Sequence, residues 1–211
     1  LGYASVPRDS TKTRARLEVE AERLFAEVGI WQVRVREIVA AAHQRNASAV
    51  TYHFGSREGL LERILAHHGE SIDAHRGQLL AGLEGEASTR SVVDALVAPM
   101  VACLENDRGR RYVRIVAQLA DRFADWRHAP ADLAAPNLSR ALDLLENRPE
   151  HLSSAVRRER LVAMMQLMTS SLAERARILE SGASPVLDAR HYQKNLADML
   201  VGLLEAPAAA A

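Results

Sequence analysis

Apolar residues recur at three- and four-residue spacing along most of the chain, and this spacing limits the fold more than any other feature. In the first such segment the apolar positions are Leu17, Ala21, Leu24, Phe25 and Val28, which would form one face of an α-helix. β-branched residues occur in short bursts and never alternate over the length of a strand. Helix-forming Ala, Leu, Arg and Glu dominate, and aromatic residues make up only 4%. The sequence therefore predicts an all-α protein.

Hydrophobic residues make up 48% of the 211 positions and charged residues 26%, which is enough apolar material for a packed core and argues against general disorder. The formal net charge is zero, so total charge gives no support for nucleic-acid binding, and the distribution matters more. Residues 1–68 carry ten Lys and Arg against eight Asp and Glu. This is a weak positive bias, with bases at the N-terminus and around residues 45–57.

Several site classes find little support in the sequence. A single cysteine, Cys103, excludes a disulfide within the chain. Among His67, His68, Glu70 and His75, the adjacent histidines point to different helix faces, so no metal or other cofactor is expected. No signal peptide and no apolar run of 18 or more residues is present, and we expect a soluble, cytoplasmic protein without a membrane partner.

Start and stop signals divide the N-terminal part into short helices. Gly29 ends the first helix, His43-Gln44-Arg45 forms a tight polar turn, Asn46 caps the third helix, and Ser56 begins the fourth. The predicted helices are 10–28, 35–42, 47–54 and 56–82.

The remainder of the chain shows the same helical pattern on a larger scale. We divide it into a helix-turn-helix domain, residues 1–55, and a second domain, residues 56–211. Further helices are predicted at 88–106, 109–123, 133–147, 151–181 and 186–205.

Three short helices with a tight turn before the third are typical of a helix-turn-helix. The third helix offers short polar side chains that let its backbone approach base edges in a major groove. Basic residues nearby could reach phosphates. The candidate DNA-binding residues are Lys12, Arg14, Arg45, Asn46, Ala47, Ser48, Thr51, Tyr52, His53, Ser56 and Arg57, with Arg16 as a further phosphate contact.

The segments 35–42, 46–54 and 55–61 carry a family resemblance. With Leu24-Phe25 before Gly29, they resemble the DNA-binding domain of the TetR family of regulators over residues 10–65. The sequence departs from that family at the turn, which is one residue longer, and at Thr51, where members often have a phosphate-binding Tyr. The longer turn predicts a slightly shifted third helix, and the second departure predicts that Thr51 faces a base or a phosphate.

The resemblance implies nine helices and a two-fold homodimer in which the last two helices of each protomer pair. It also implies an operator in double-stranded DNA and a small-molecule effector, with repression as the default. Leu161, Met164, Met165, Met168 and Leu172 would lie on the pairing helix 151–181, and Leu187, Leu196, Met199, Leu200, Leu203 and Leu204 on helix 186–205.

An effector pocket would lie inside the second domain, lined by apolar residues with a few polar anchors. Flexible methionines suit a small hydrophobic ligand, and Gln118 and Gln166 are the best polar anchors because each lies in an apolar run. The candidate pocket residues are Met100, Cys103, Leu104, Gln118, Phe123, Trp126, Met164, Met165 and Met168.

Two other functions remain open: an all-α enzyme with an interior cavity, and a dimeric helical scaffold that binds protein. No phosphate-binding Gly-rich loop, G-x-S-x-G or H-E-x-x-H occurs. We therefore expect no catalytic residues and no enzyme, and a ligand-responsive DNA-binding regulator is the function that the sequence favours.

Overall fold

The structure, a computed structural model, describes residues 8–46, 48–83, 87–120 and 135–207. These residues form nine α-helices and one 3₁₀ turn, Cys103–Glu105, and they contain no strand. The all-α prediction is confirmed. In chain order the helices are α1 Arg8–Glu27, α2 Val35–Ala41, α3 Ala49–Phe54, α4 Arg57–Ala81, α5 Thr89–Ala102, α6 Asp107–Leu119, α7 Pro136–Glu146, α8 Ser154–Glu180 and α9 Ala189–Glu205.

Contacts divide the chain into two compact units, Leu1–His67 and His68–Ala211. The division falls inside α4, so this helix contributes its first turns to one unit and the rest to the other. The functional boundary proposed after residue 55 remains a prediction.

The core of the first unit is built from one face of each of its helices. Helix α3 has only six residues, and the one fully buried side chain among them is Val50, at 0% exposure. Val50 anchors α3 to this core. The prediction for the α1 stripe is wrong at Val28, which is 56% exposed, since the helix has already ended before it. The core residues are Leu17, Ala21, Phe25, Ala26, Ile30, Val33, Ile38, Val39, Ala42, Val50, Leu60, Leu61, Ile64 and Leu65.

The turn after α1 requires a glycine. Gly29 has φ +122°, a conformation that side-chain-bearing residues rarely adopt. Its N–H bonds back to the carbonyl of Leu24 at 3.4 Å. The predicted glycine stop of the first helix is confirmed.

In the second unit, α6 packs against α8, and α9 packs against both α5 and α8. Side-chain caps fix where the helices begin: Ser88, Asn106, Ser153 and Asp188 accept backbone N–H groups of α5, α6, α8 and α9 respectively. Each of these helices starts within about three residues of its predicted start.

The break predicted at residues 107–109 is wrong, because these residues form the first turn of α6. Asn106 Oδ1 accepts the N–H of Gly109 at 2.9 Å, and this cap starts the helix. A Cβ at Gly109 would lie 2.0 Å from the carbonyl oxygen of Cys103. The glycine therefore serves close packing against the 3₁₀ turn that ends the predicted 88–106 helix.

Across the described ranges, no helix is long and apolar enough to cross a membrane.

Candidate nucleic-acid interface

The third helix begins at Ala49, two residues later than predicted. Asn46 does not cap it: its Oδ1 accepts the N–H and the hydroxyl of Ser48, at 2.9 and 2.8 Å. This local Asx-type turn competes with helix formation and delays it. Ser48 occupies the cap position, and Ala47 lies outside the described residues.

The predicted polar turn before α3 is present. His43 adopts a left-handed conformation with φ 55°, and Gln44 donates its backbone N–H to the carbonyl of Val39 at 2.9 Å. The Gln44 side-chain amide also donates to the Ala42 carbonyl at 3.0 Å. These bonds hold the turn while Arg45 and Asn46 project from it as exposed residues.

Apart from Val50, α3 presents a largely accessible surface. Ser48 and Thr51 are exposed, Tyr52 is 79% exposed and His53 is half-buried. The Tyr52 and His53 rings meet edge to face, with centroids 4.8 Å apart, which limits the orientations that the Tyr52 ring can take. Small hydroxyl groups beside one protruding aromatic ring form the accessible face.

One basic residue of α1, Arg14, lies beside this helix. Lys12, Arg14 and Arg16 are exposed, and the guanidinium carbon of Arg14 lies 5.5 Å from the centroid of the Phe54 ring at the end of α3. This cation–π contact brings the start of α1 to the C-terminal end of α3.

Arg57 and Ser56, predicted phosphate contacts, are used inside the unit. Arg57 Nε donates to the carbonyl of Val33 at 3.0 Å, and its guanidinium carbon lies 5.2 Å from the Phe25 ring centroid. Ser56 Oγ accepts the N–H of Gly59 at 2.9 Å and caps α4. Both therefore position α4 after the α3 turn, Ser56 through a local cap and Arg57 through partners distant in sequence.

The predicted pocket residues fall into three groups. Met100, Leu104, Met164, Met165 and Met168 are buried in the second unit. Phe123 and Trp126 lie outside the described residues.

The remaining two, Cys103 and Gln118, already have hydrogen bonds inside the second unit. The Cys103 thiol is half-buried and donates to the Pro99 carbonyl at 3.3 Å, and burial raises its pKa to about 11. Gln118 Nε2 donates to the Arg114 carbonyl at 3.2 Å. Gln166, the other polar anchor suggested by the sequence, is exposed on α8.

Sequence reasoning missed an ionic cluster in the second unit. Asp73 and Arg76 on α4 are 7% and 4% exposed and pair at 2.9 Å. Asn137, at the start of α7, bonds to Asp73, and a Cβ at Gly77 would lie 2.7 Å from the Asn137 side chain. The i,i+3 spacing of Asp73 and Arg76 is a local signal, but the partner on α7 is 64 residues away.

Among the described residues, no group of three or more His, Cys, Asp or Glu could hold a metal ion.

The model of the family "bacterial regulatory proteins, tetR family" matches residues 19–64. This match begins within α1, spans α2 and α3, and ends within α4, so it includes the α3 surface described above. The N-terminal unit is thus similar to the TetR-family domain over these residues. Its α2-turn-α3 segment is the helix-turn-helix that the sequence predicted.

Solved structures of TetR-type proteins share the fold over almost the whole chain. NalD of Pseudomonas aeruginosa, described as the secondary repressor of the MexAB-OprM multidrug efflux pump, is 20% identical with TM-score 0.56, over 92% of this chain and 96% of that one. KstR2 of Mycobacterium tuberculosis, a ketosteroid transcriptional regulator, is 18% identical with TM-score 0.53, over 90% and 93%.

A putative TetR-family regulator from Rhodococcus sp. is 16% identical with TM-score 0.52, over 92% of this chain and all of that one. No curated protein sequence matches the chain significantly. At these identities the structural matches establish the fold, and these neighbours are described as a repressor or as transcriptional regulators.

Proposed function

We propose that this TetR-type chain is a homodimeric, ligand-responsive transcriptional regulator, cytoplasmic and acting as a repressor. The observation that carries the proposal is the α3 surface: one buried anchor, Val50, and an otherwise accessible polar face. A short helix held in this way can enter a DNA major groove. The family match over the same segment supports this reading.

The proposed DNA contacts fall into two sets. Lys12, Arg14 and Arg45 are exposed cations, and Arg14 lies against Phe54 at the end of α3. They are suited to phosphates, which set affinity and its salt dependence. Ser48, Thr51, Tyr52 and His53 form the accessible face of α3 and would face base edges. Asn46 supports the turn, while Ser56 and Arg57 hold α4.

The proposed effector is a small hydrophobic molecule bound in the second unit. Buried methionines on α5 and α8 supply an adaptable apolar lining. A named neighbour, NalD, is described as a repressor, and repression is the mode proposed here. Effector binding would release the operator by favouring a dimer whose two α3 helices are wrongly spaced for DNA.

The proposed dimer uses the last two helices through their exposed residues, of which Met199 is one that the sequence suggested. Leu161, Met164 and Leu172 on α8, and Leu196 and Leu200 on α9, are buried in the protomer's own core. The exposed side of these helices instead carries Ala163, Gln166, Ser170, Met199 and Gly202. Its small residues permit the close approach that pairing requires.

The test is an electrophoretic mobility-shift titration with the intergenic DNA beside the chain's own gene. The control is a scrambled duplex of equal length and composition. We expect binding at low salt, with the native sequence preferred by about a thousandfold or more. Equal binding to both duplexes, or none to either, would end the regulator proposal.

A further inference from the structure

The second unit buries an ion pair on α4. Arg76 and Asp73 lie one turn apart on α4, at 4% and 7% exposure, with Arg76 Nη1 2.9 Å from Asp73 Oδ1. Removing two charges from water is costly, and one contact rarely offsets that cost unless further hydrogen bonds satisfy both partners. The two partners differ greatly in this respect.

Asp73 is fully satisfied. Besides Arg76, its carboxylate accepts the backbone N–H groups of Asn137 and Leu138, at 3.1 and 2.8 Å, and the Asn137 side-chain amide at 3.0 Å. These donors belong to the first turn of α7, whose N-terminal partial positive charge also favours an anion. Asp73 thus caps α7, and its charge is shared between that helix and Arg76.

Arg76 is not satisfied. Its Nε is buried and has no hydrogen-bond partner within the described part of the chain, whereas buried polar groups almost always have one. Burial lowers the pKa of Arg76 below its ordinary value even with Asp73 beside it. Asp73 takes Nη1, and Nε is left without an acceptor among the described residues.

The groups near Arg76 add no second negative charge to offset its own. Tyr112 and Cys103 are close enough to interact electrostatically with its guanidinium. Burial raises the pKa of the Tyr112 phenol and raises that of the Cys103 thiol to about 11, so both are protonated at neutral pH. The Cys103 thiol donates to the Pro99 carbonyl, and the carboxylate facing Arg76 is already saturated.

We propose that Arg76 anchors the effector, and that the effector is a carboxylate carried on an apolar body. A carboxylate takes the N–H groups along one edge of a guanidinium in parallel, the strongest geometry available to such a pair. The apolar body is inferred from buried Met100 and Leu104, which lie three residues before and one residue after Cys103 in the chain. This inference rests on the proposed function, because it names the ligand class of that regulator.

The experiment uses the full chain and two matched probe pairs: decanoate with decan-1-ol, and 4-phenylbutyrate with 4-phenylbutan-1-ol. Binding is measured by thermal unfolding and by isothermal titration calorimetry. We expect at least one acid to raise the unfolding temperature and to bind tenfold or more tightly than its alcohol. Equal binding of acid and alcohol, or no binding of either acid at millimolar concentration, overturns the proposal without any variant.

Arg76→Met should lose the preference for the acid, while Arg158→Met should keep it, because the Arg158 side chain is 72% exposed on α8. If Arg76→Met does not fold, Arg76→Lys provides the test. Lysine keeps the positive charge but lacks the two parallel N–H donors of the guanidinium, so this variant should bind the acid several-fold more weakly than wild type. Unchanged acid binding in a folded Arg76 variant contradicts the assignment.

Mobility-shift titrations on the same preparations separate the two proposals. DNA binding without acid binding rejects only the carboxylate site. Acid binding that depends on Arg76, without sequence-specific DNA binding, rejects the regulator and leaves a carboxylate-binding protein.

Discussion

Arg57 Nε donates a 3.0 Å hydrogen bond to the backbone carbonyl of Val33, joining the first turn of α4 to the segment before α2. The guanidinium also lies over the Phe25 ring, 5.2 Å from its centroid. Arg57→Ala removes both contacts and leaves a carbonyl unpaired, so we expect a loss of about 2 kcal/mol in the free energy of unfolding. Urea denaturation measures it.

Arg45→Ala is the matched control for Arg57→Ala, because Arg45 is exposed. It should change the unfolding free energy by no more than about 0.5 kcal/mol. If Arg57→Ala is equally stable but lowers the salt dependence of DNA binding, Arg57 is a phosphate contact after all.

DNA binding should respond differently to changes at Arg45 and Thr51. If Arg45 contacts a phosphate, Arg45→Ala weakens binding to all sequences alike and reduces the slope of log affinity against log salt by about 1. Thr51→Ala removes a short side chain from the exposed face of α3 and should weaken binding to the operator more than to scrambled DNA. Fluorescence anisotropy at several salt concentrations distinguishes the two. Unchanged binding by both variants would show that α3 is not the reading helix.

Gly59 and Gly69 on α4 form a matched pair for testing how α3 is positioned. A Cβ at Gly59 would lie 2.3 Å from the Phe54 carbonyl oxygen, so Gly59→Ala must move the end of α3 away from α4. We expect a loss of roughly 1–3 kcal/mol in unfolding free energy together with weaker DNA binding.

At Gly69 the nearest atom, Tyr112 Oη, would be 4.0 Å away. Gly69→Ala should therefore stabilise α4 by about 0.5–1 kcal/mol, since alanine favours the helix. Equal stability of the two variants in thermal melts would contradict this account of the α3–α4 turn.

These examples show what the sequence could and could not predict. Helix positions followed from apolar spacing and from local stop and cap signals, such as Gly29 and Ser56, because those interactions join residues a few positions apart. The start of α3 was misplaced because Asn46 can cap a helix or close an Asx turn onto Ser48, and the residue type does not distinguish the two.

Long-range partnerships were beyond the sequence. The sequence predicts Arg57 as a phosphate contact, which stays a prediction, but nothing near Arg57 in the chain indicates its contacts with Val33 and Phe25. The same applies to Asp73, whose partners on α7 are 64 and 65 residues away. The apolar spacing along α8 and α9 does not distinguish residues that pack in the protomer's own core from residues that would face a second protomer.

Asp188 should make the start of α9 sensitive to acid. Its carboxylate accepts the N–H of His191 at 2.8 Å and lies 2.7 Å from His191 Nδ1, and the backbone hydrogen bond from His191 is the largest cause that lowers the Asp188 pKa below 3.8. A carboxylate whose pKa is lower in the folded than in the unfolded protein stabilises the fold at pH values above its unfolded-state pKa. That stabilisation is lost as the pH falls through its folded-state pKa.

Asp188→Ala should therefore unfold at a lower temperature than wild type at pH 7, and the difference should close below pH 3.8. Asp188→Asn, which still caps a helix, is the control and should show a smaller deficit at pH 7. Melting curves between about pH 2 and pH 7 test this, a range that brackets the ordinary aspartate value. A deficit of Asp188→Ala that persists unchanged in acid would assign the effect to something other than the ionised cap.

Met199 offers a direct test of the proposed dimer surface. It is a large apolar side chain on α9, 42% exposed, and at nearby Gly202 an added Cβ would meet no neighbouring element of the described chain within 4 Å. Met199→Glu would place a charge in a paired interface, where it would be desolvated without a partner, but it should leave the folded protomer intact. We expect dissociation into monomers in sedimentation equilibrium and weaker operator binding, because a monomer engages one half-site.

Val186→Glu, at a fully exposed position before α9, is the control and should stay dimeric. A Met199→Glu protein that remains a dimer at micromolar concentration would show that pairing uses another surface.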